Sequence, residues 1–372
     1  MNIAFAAPVV YPYVKGGVEK RTYEVGRRLV DRGHDVTIYS RHWWNGPRSK
    51  TQAGMKLQAV GPPSELYADG DRRSVLSALG LAGRLVKPLA QAKHDLVVTP
   101  VAPYFHVFAV RLSSALQRTP LVVTWHEVWD DYWHQYMGRI GSVGKAVERI
   151  TAQIPQHVVV PSQMTAGKFQ KLAPRQTVEV IPNGIDVSEV ASVPPMENGY
   201  DILYVGRLIE DKNVSLLIEA FEQCDSEARL GIIGDGPDAD RLQDLANTSE
   251  AAGRIEFLGF LDEYTEVIAH MRSADIFASP SIREGFGITL LEAMAADCTV
   301  ITVDHENSAG SEVIGDAGFA VEPETASVAA ILQEALNGKR PAVSPTDRAA
   351  NYDWERITDR TESFYRDIIT DS

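Results

Sequence analysis

The chain has 372 residues, 44% of them apolar, a formal net charge of −14 and only two cysteines, Cys224 and Cys298. That leaves room for two domains of ordinary size and excludes a cysteine metal site or a disulfide framework, as expected in a reducing compartment. No run of about eighteen apolar residues occurs, which excludes a membrane-spanning helix, and Met1 leads into Asn-Ile-Ala-Phe-Ala-Ala without a basic n-region, so no signal peptide is expected and a cytoplasmic setting is.

The charge is unevenly spread. Residues 1–188 carry 23 Lys and Arg against 14 Asp and Glu, a net +9, and the remainder carries 13 against 36, a net −23. A basic first half suits an anionic membrane surface, at which the chain would sit peripherally, or a phosphate-bearing partner. A surface solvated by a salt-rich cytoplasm accounts for the same numbers.

In chain order, residues 2–10 form a near-continuous apolar run, the pattern of a strand in a parallel sheet. Gly16-Gly17 follow, then a helix from 18 to about 32, stopped by Gly33-His34, and a strand over 35–39. This is a βαβ unit with a glycine pair at the helix start, where the missing Cβ atoms admit a ligand or simply make the turn. Residues 41–50 are basic and aromatic together. Arg72-Arg73 and a helix-like stretch over 75–93 read either as an interfacial amphipathic segment or as the outer helix of an α/β domain. A strand over 95–99, a helix over 105–116 and a strand over 120–125 lead to His126-Glu127. A polar pair at the carboxyl end of a buried strand lies where ligands bind in open α/β sheets. Residues 130–136 read as a ligand-side loop or a packing loop. A helix over 144–154, a strand over 156–160, a helix over 165–172 and the segment 178–186 close the domain, and 193–199 read as a Pro/Gly-rich linker.

The second half restarts the pattern. A strand over 201–205 runs into Gly206-Arg207 and Lys212-Asn213, then a helix over 214–221. Strands over 229–233, 255–258, 275–278 and 299–303 alternate with helices to 246 and over 264–271, and the last amphipathic helix spans 354–369. Between two of these strands lies Ser279–Ala295, SPSIREGFGITLLEAMA, read as a glycine turn opening a helix. A helix start offers unpaired N–H groups and the positive end of the macrodipole, a ready phosphate site. Glu284 and Glu292 are eight positions apart and share no helical face. As acceptors they suit sugar hydroxyls on either side of a phosphate, or are a capping and a surface glutamate.

Glu284-Gly-Phe-Gly followed by Leu-Leu-Glu292-Ala-Met-Ala resembles the signature of retaining glycosyltransferases of family 4. Gly206-Arg207-Leu with Lys212-Asn213, the Gly16-Gly17 pair, His126 with an acidic neighbour, and Pro182-Asn-Gly-Ile-Asp186 are similar to further family segments. The resemblance implies an α/β chain of GT-B fold, two doubly wound Rossmann-like domains facing across a cleft. They would cover 1–188 on the acceptor side and 189–354 on the donor side, with a final helix, about 355–372, crossing back. It implies transfer of a sugar, with retention, from a nucleotide diphosphate sugar (UDP- or GDP-sugar) to a lipid-linked or saccharide acceptor, in polysaccharide, glycolipid or glycan assembly. Nucleic acid is not an expected partner.

The catalytic set implied is His126, Glu284, Arg207 and Lys212. The donor-binding set is Gly16, Gly17, Arg207, Lys212, Phe286, Gly287, Ile288 and Glu292. Arg207, Lys212 and the N–H groups around Gly287 would hold the phosphates, Glu292 the ribose, Glu284 the sugar hydroxyls, and His126 would reach the sugar. No Asp-x-Asp is placed to call for a metal, and no cofactor is required. No enzymatic nucleophile is evident on the far side of the sugar, so same-face attack by the acceptor is expected. Two departures stand out: Asp297-Cys298-Thr299 replaces the family's Gly-x-Pro, which affects a helix C-cap, and 305–311 replaces a glycine-rich turn while Gly310 and Glu312 remain. A GT-B nucleotide-sugar epimerase and a non-catalytic nucleotide-sugar-binding protein are the rival readings.

Overall fold

The computed structural model describes residues 1–64, 67, 68, 72, 73, 75–225 and 227–371; Arg72-Arg73 is described as backbone only, so its side chains lie outside the described residues. The chain divides into two units, Met1–Asn183 with Trp354–Ser372, and Gly184–Asp353. The division falls at 183, not at 188, and gives the last helix to the first unit.

In the first unit the strands are β1 (Asn2–Ala6), β2 (Asp35–Arg41), β3 (Ser49–Gln52), β4 (Met55–Gly61), a two-residue ribbon of β5 (Tyr67–Ala68) and β6 (Arg72–Arg73), β7 (Leu96–Pro100), β8 (Leu121–Thr124), β9 (His157–Val160) and β10 (Val178–Val180). Eight of them form one sheet in the order β10-β9-β8-β7-β1-β2-β4-β3, parallel except for the β3–β4 pair. The order reverses between β1 and β7, the point at which open α/β sheets leave a crevice at the strands' carboxyl ends. The apolar runs of β1, β7 and β8 are continuous because helices cover both faces. On one face Ile3, Phe5 and Ile38 pack with Val25 and Leu29 of the Gly17–Asp31 helix and with Trp354, Ile357 and Ile368 of the Trp354–Thr370 helix. On the other, Leu81, Leu85, Val107, Trp125 and Phe169 form a separate core. Polar bonds fix the last helix to the first: Arg28 Nε donates to Glu355 Oε1 at 2.7 Å, and His34 Nε2 pairs with Glu362 Oε1 at 2.9 Å.

The second unit holds β11 (Ile202–Val205), β12 (Leu230–Ile233), β13 (Ile255–Gly259), β14 (Ile276–Ser279), β15 (Thr299–Val303) and β16 (Gly318–Val321). They form one parallel sheet in the order β13-β12-β11-β14-β15-β16, which reverses between β11 and β14. The strands are doubly covered here too: Ile202, Tyr204 and Ile276 face one core, Leu203 and Phe277 the other.

Some elements differ from the reading of the sequence. Residues 49–61 form the β3–β4 hairpin, with Met55 and Leu57 buried on alternate positions. Tyr132–Met137 is a short helix with Trp133 buried, so that stretch packs as an element and not as a loop. Val187–Ser192 is a helix capped by the Asp186 side chain, and the β16 strand and the Thr325–Leu336 helix carry the chain from 318 to 336.

Candidate active site

In the second unit the site is built at the switch point. β11 and β14 are hydrogen-bonded neighbours, so the turns that follow them, 206–213 and 280–287, leave the sheet side by side. They are tied together: the Ile282 N–H donates to the Asp211 carbonyl at 3.1 Å, and the Lys212 ammonium donates to Glu284 Oε2. A second tie holds the 284 turn to the loop after β15, with Glu284 N–H donating to the Asn307 carbonyl at 3.1 Å and Ala309 N–H to the Glu284 carbonyl at 2.8 Å. The 305–311 segment therefore forms a backbone brace for the turn.

Gly287 precedes the Ile288–Ala295 helix at φ +85°, a left-handed conformation that glycine adopts freely. A Cβ there would also meet Leu290 Cδ1 at 2.8 Å and Glu284 Cγ at 3.3 Å. The helix that follows begins at Ile288, so its first N–H groups open toward the turn. Phe286 sits beneath, buried against Tyr352 with ring centroids 5.9 Å apart. Its side chain anchors the turn in the core. Gly234, after β12, packs so close to the Gly206 carbonyl that a Cβ would lie 1.8 Å from it.

The charged groups are placed differently from one another. Arg207 is exposed at the carboxyl end of β11. Lys212 and Glu284 are half-buried and paired. Glu292 is 6% exposed, within the helix, and accepts from the Tyr264 hydroxyl at 2.8 Å. Thus Arg207, Lys212, Glu284, Gly287 and Ile288 share one edge of one sheet, and Glu292 lies one turn into the helix that leaves it. Tyr264, 28 positions away from Glu292, carried no local signal in the sequence. Just after the C-cap residue Ala296, Asp297 takes a left-handed conformation, φ +69°, and Cys298 N–H donates to the Ala293 carbonyl, so the helix is closed by a left-handed turn at a non-glycine residue.

The remaining expected residues belong to the first unit. Gly16 caps the Gly17–Asp31 helix with extended backbone, φ −178°, a conformation open to any residue. His126 follows β8 and is half-buried; burial and then the Arg21 guanidinium push its pKa down to about 3, so it is a neutral imidazole at neutral pH. The segment after it is held by the buried Glu148 carboxylate, which accepts from Trp129 N–H and Asp130 N–H, both at 2.8 Å, and from the Tyr104 hydroxyl at 3.0 Å.

Among the described residues no group of three His, Cys, Asp or Glu is placed to hold a metal. The chain contains two Asp-x-Asp triplets: Asp69-Gly70-Asp71 lies outside the described residues, and Asp238-Ala239-Asp240 begins the Ala239–Thr248 helix, where Asp238 pairs with Arg241 at 2.6 Å. Among the described residues no helix is long and apolar enough to cross a membrane.

Residues 15–189 match the family model described as Glycosyltransferase Family 4, and residues 189–352 that described as Glycosyl transferases group 1. A phosphatidyl-myo-inositol mannosyltransferase of Mycolicibacterium smegmatis is 25% identical over 99% of this chain and 94% of its own. A glycogen synthase of Mycobacterium tuberculosis is 26% identical over 95% of this chain and 92% of its own. Among solved structures, a sucrose-phosphate synthase from Thermosynechococcus elongatus superposes with a TM-score of 0.80 at 18% identity over the full length of both chains. Anabaena HepE in complex with UDP-glucose superposes with a TM-score of 0.73 at 19% identity, over 99% of this chain and 100% of its own. These neighbours are GT-B glycosyltransferases, and the two parallel-sheet, Rossmann-like units of this chain share that fold.

Proposed function

The chain belongs to glycosyltransferase family 4, and from that premise we propose that it transfers a sugar, with retention, from a nucleotide diphosphate sugar to an acceptor hydroxyl. The donor diphosphate is assigned to the second unit. The observation that carries this is the pair of linked turns at the β11–β14 switch point, which present Arg207, Lys212 and a glycine-opened helix start along one sheet edge. Fixed cations and helix N–H groups stabilise charge developing on a departing diphosphate without having to reorganise. No other cofactor is assigned a role.

The Lys212–Glu284 pair gives the site a switching element. In this conformation the ammonium neutralises the carboxylate. A diphosphate competing for Lys212 would free Glu284 to accept from hydroxyls of the adjoining sugar. Glu292, already oriented by Tyr264, is assigned to the ribose. Gly16, Gly17 and a neutral His126 are assigned to the first unit's share of the reaction, His126 toward the transferred sugar. Neutral imidazole can donate one hydrogen bond and accept another, which suits a hydroxyl better than an imidazolium would.

The relatives act on varied acceptors: one is a phosphatidyl-myo-inositol mannosyltransferase and another a glycogen synthase. For this chain a lipid-linked or saccharide acceptor is the proposal, in cell-surface polysaccharide, glycolipid or glycan assembly, with the basic first unit resting peripherally on the inner, anionic face of the membrane.

The test is turnover with a panel of UDP- and GDP-sugars and lipid or saccharide acceptors. Arg207→Ala and Lys212→Ala should each lower it roughly a hundredfold, comparable to losing one oxyanion donor. Near-normal rates in both would remove them from the site. An altered sugar nucleotide formed without any acceptor would identify an epimerase instead, and donor binding with neither transfer nor hydrolysis a binding protein.

A further inference from the structure

The first unit has a switch point of its own, and a pocket opens there. It lies at the carboxyl ends of β1, β7 and β8 and is partly open to solvent. The sheet contributes Pro100 and Thr124, the loop after β8 contributes His126, the Gly17–Asp31 helix contributes Arg21 and Thr22, and the Trp354–Thr370 helix contributes Tyr365. Among the described residues no acidic side chain lines it.

Arg21 is the unusual member. It is only 6% exposed, on the face of its helix that also buries Val25 and Leu29. Its Nη1 donates to the Pro182 carbonyl and to Asn183 Oδ1, the latter at 3.1 Å. Both acceptors are neutral, and among the described residues no carboxylate pairs with it. The other buried arginine of this helix, Arg28, by contrast, pairs with Glu24 and Glu355. Burial pushes the Arg21 pKa down to about 10, which still leaves it charged at neutral pH. A buried guanidinium without a counter-ion is costly, and its planar fork matches an oxyanion. Thr124, Tyr365 and His126 line the same pocket, and their hydroxyls and imidazole can each donate a hydrogen bond.

We propose that this pocket binds an oxyanion, a phosphate monoester or a carboxylate, carried by the acceptor. That the anion belongs to an acceptor rests on the transferase reading; that the pocket takes an anion rests on Arg21 alone. The competing role is structural, with Arg21 serving only to clamp the 182–183 segment to the first helix.

The probe is inorganic phosphate, with acetate as the carboxylate arm, titrated into the full chain carrying Lys212→Ala so that the second unit's phosphate site is weakened. The readout is the His126 imidazole resonance. A saturable shift with phosphate is expected, weakened at least about tenfold by Arg21→Gln, the loss of a charge-assisted pair. Tyr365→Phe removes one hydroxyl and should weaken it about threefold, the share of one neutral hydrogen bond. This second variant decides the matter should Arg21→Gln fail to fold. Saturation by phosphate alone, or by acetate alone, assigns the source of the oxyanion. If His126 shows no saturable response to either anion in the folded protein, or if Tyr365→Phe and Arg21→Gln both bind as tightly as their parent, the pocket is structural. That failure leaves donor binding by the second unit untouched; loss of donor binding with the His126 response intact would instead sink the transferase reading and spare the pocket.

Discussion

At the scale of single residues, placement depends on which neighbours the topology supplies. Asp297 occupies a left-handed position at the end of the site's helix, where most families of sequence would put glycine. It is exposed and leaves the site's charged groups alone. Asp297→Gly should therefore stabilise the protein by about 0.5 kcal/mol, the relieved strain net of glycine's greater chain entropy, read as a higher urea midpoint. A lower midpoint would mean that the aspartate makes a contact worth more than the strain. Residue-level legibility was uneven for a physical reason. Arg207, Lys212, Glu284 and Gly287 fall in short turns with fixed spacing, so the sequence alone could group them, and the β11–β14 pairing brings them to one edge. Tyr264 and Arg21 escaped notice because each acts across a long separation. Arg21 did leave a trace, being a charge spaced four and eight positions before Val25 and Leu29 on the buried side of an amphipathic helix, a side that also holds the paired Glu24 and Arg28.

At the scale of elements, the doubly covered strands were legible as unbroken apolar runs, and the helix starts as glycine turns. The β3–β4 hairpin was not, although β4 alternates buried and polar residues, because β3 is a short polar Ser-Lys-Thr-Gln segment and the turn is Ala53-Gly54, a weaker punctuation than Asn-Gly. The Tyr132–Met137 helix was hidden because its order comes from Glu148, outside the segment, and not from periodicity within it. The Trp354–Thr370 helix is held to the Gly17–Asp31 helix by apolar burial and by a titratable network. Burial alone would raise the Glu362 carboxyl, but Arg366, His34 and Arg32 overcome it and hold it down to about 2. A depressed folded-state pKa adds stability that is fully present above the unfolded carboxylate's pKa, roughly 4.3, and is lost as pH falls toward 2. Melting temperature should therefore drop across that window, and Glu362→Gln should lower it at neutral pH while flattening the acid side. An unchanged acid profile in Glu362→Gln would remove this network from the helix's attachment.

At the scale of the whole molecule, the charge division follows the structural one. The first unit carries 26 Lys and Arg against 18 Asp and Glu, net +8, and the second 10 against 32, net −22. The positive unit also exposes Leu76, Leu112 and Leu116 on the Val75–Gln91 and Phe105–Gln117 helices, Leu76 at 82%. Apolar side chains beside a net positive charge suit an anionic bilayer. The chain should sediment with phosphatidylserine-containing vesicles, not with purely zwitterionic ones, and should be released as salt rises through about 0.15–1 M, where the Debye length shrinks from about 8 to 3 Å. Salt-independent binding, or none, would return the charge pattern to solvation.

The central claim is that the β11–β14 edge of the second unit holds a diphosphate, and calorimetric titration with UDP and GDP tests it most directly. At least one nucleotide should bind the wild-type chain with its free nucleoside binding far more weakly, and Arg207→Ala and Lys212→Ala should each weaken the diphosphate by about tenfold or more. Equal affinities for the diphosphate in the wild type and both variants, or equal affinities for diphosphate and nucleoside, would contradict it.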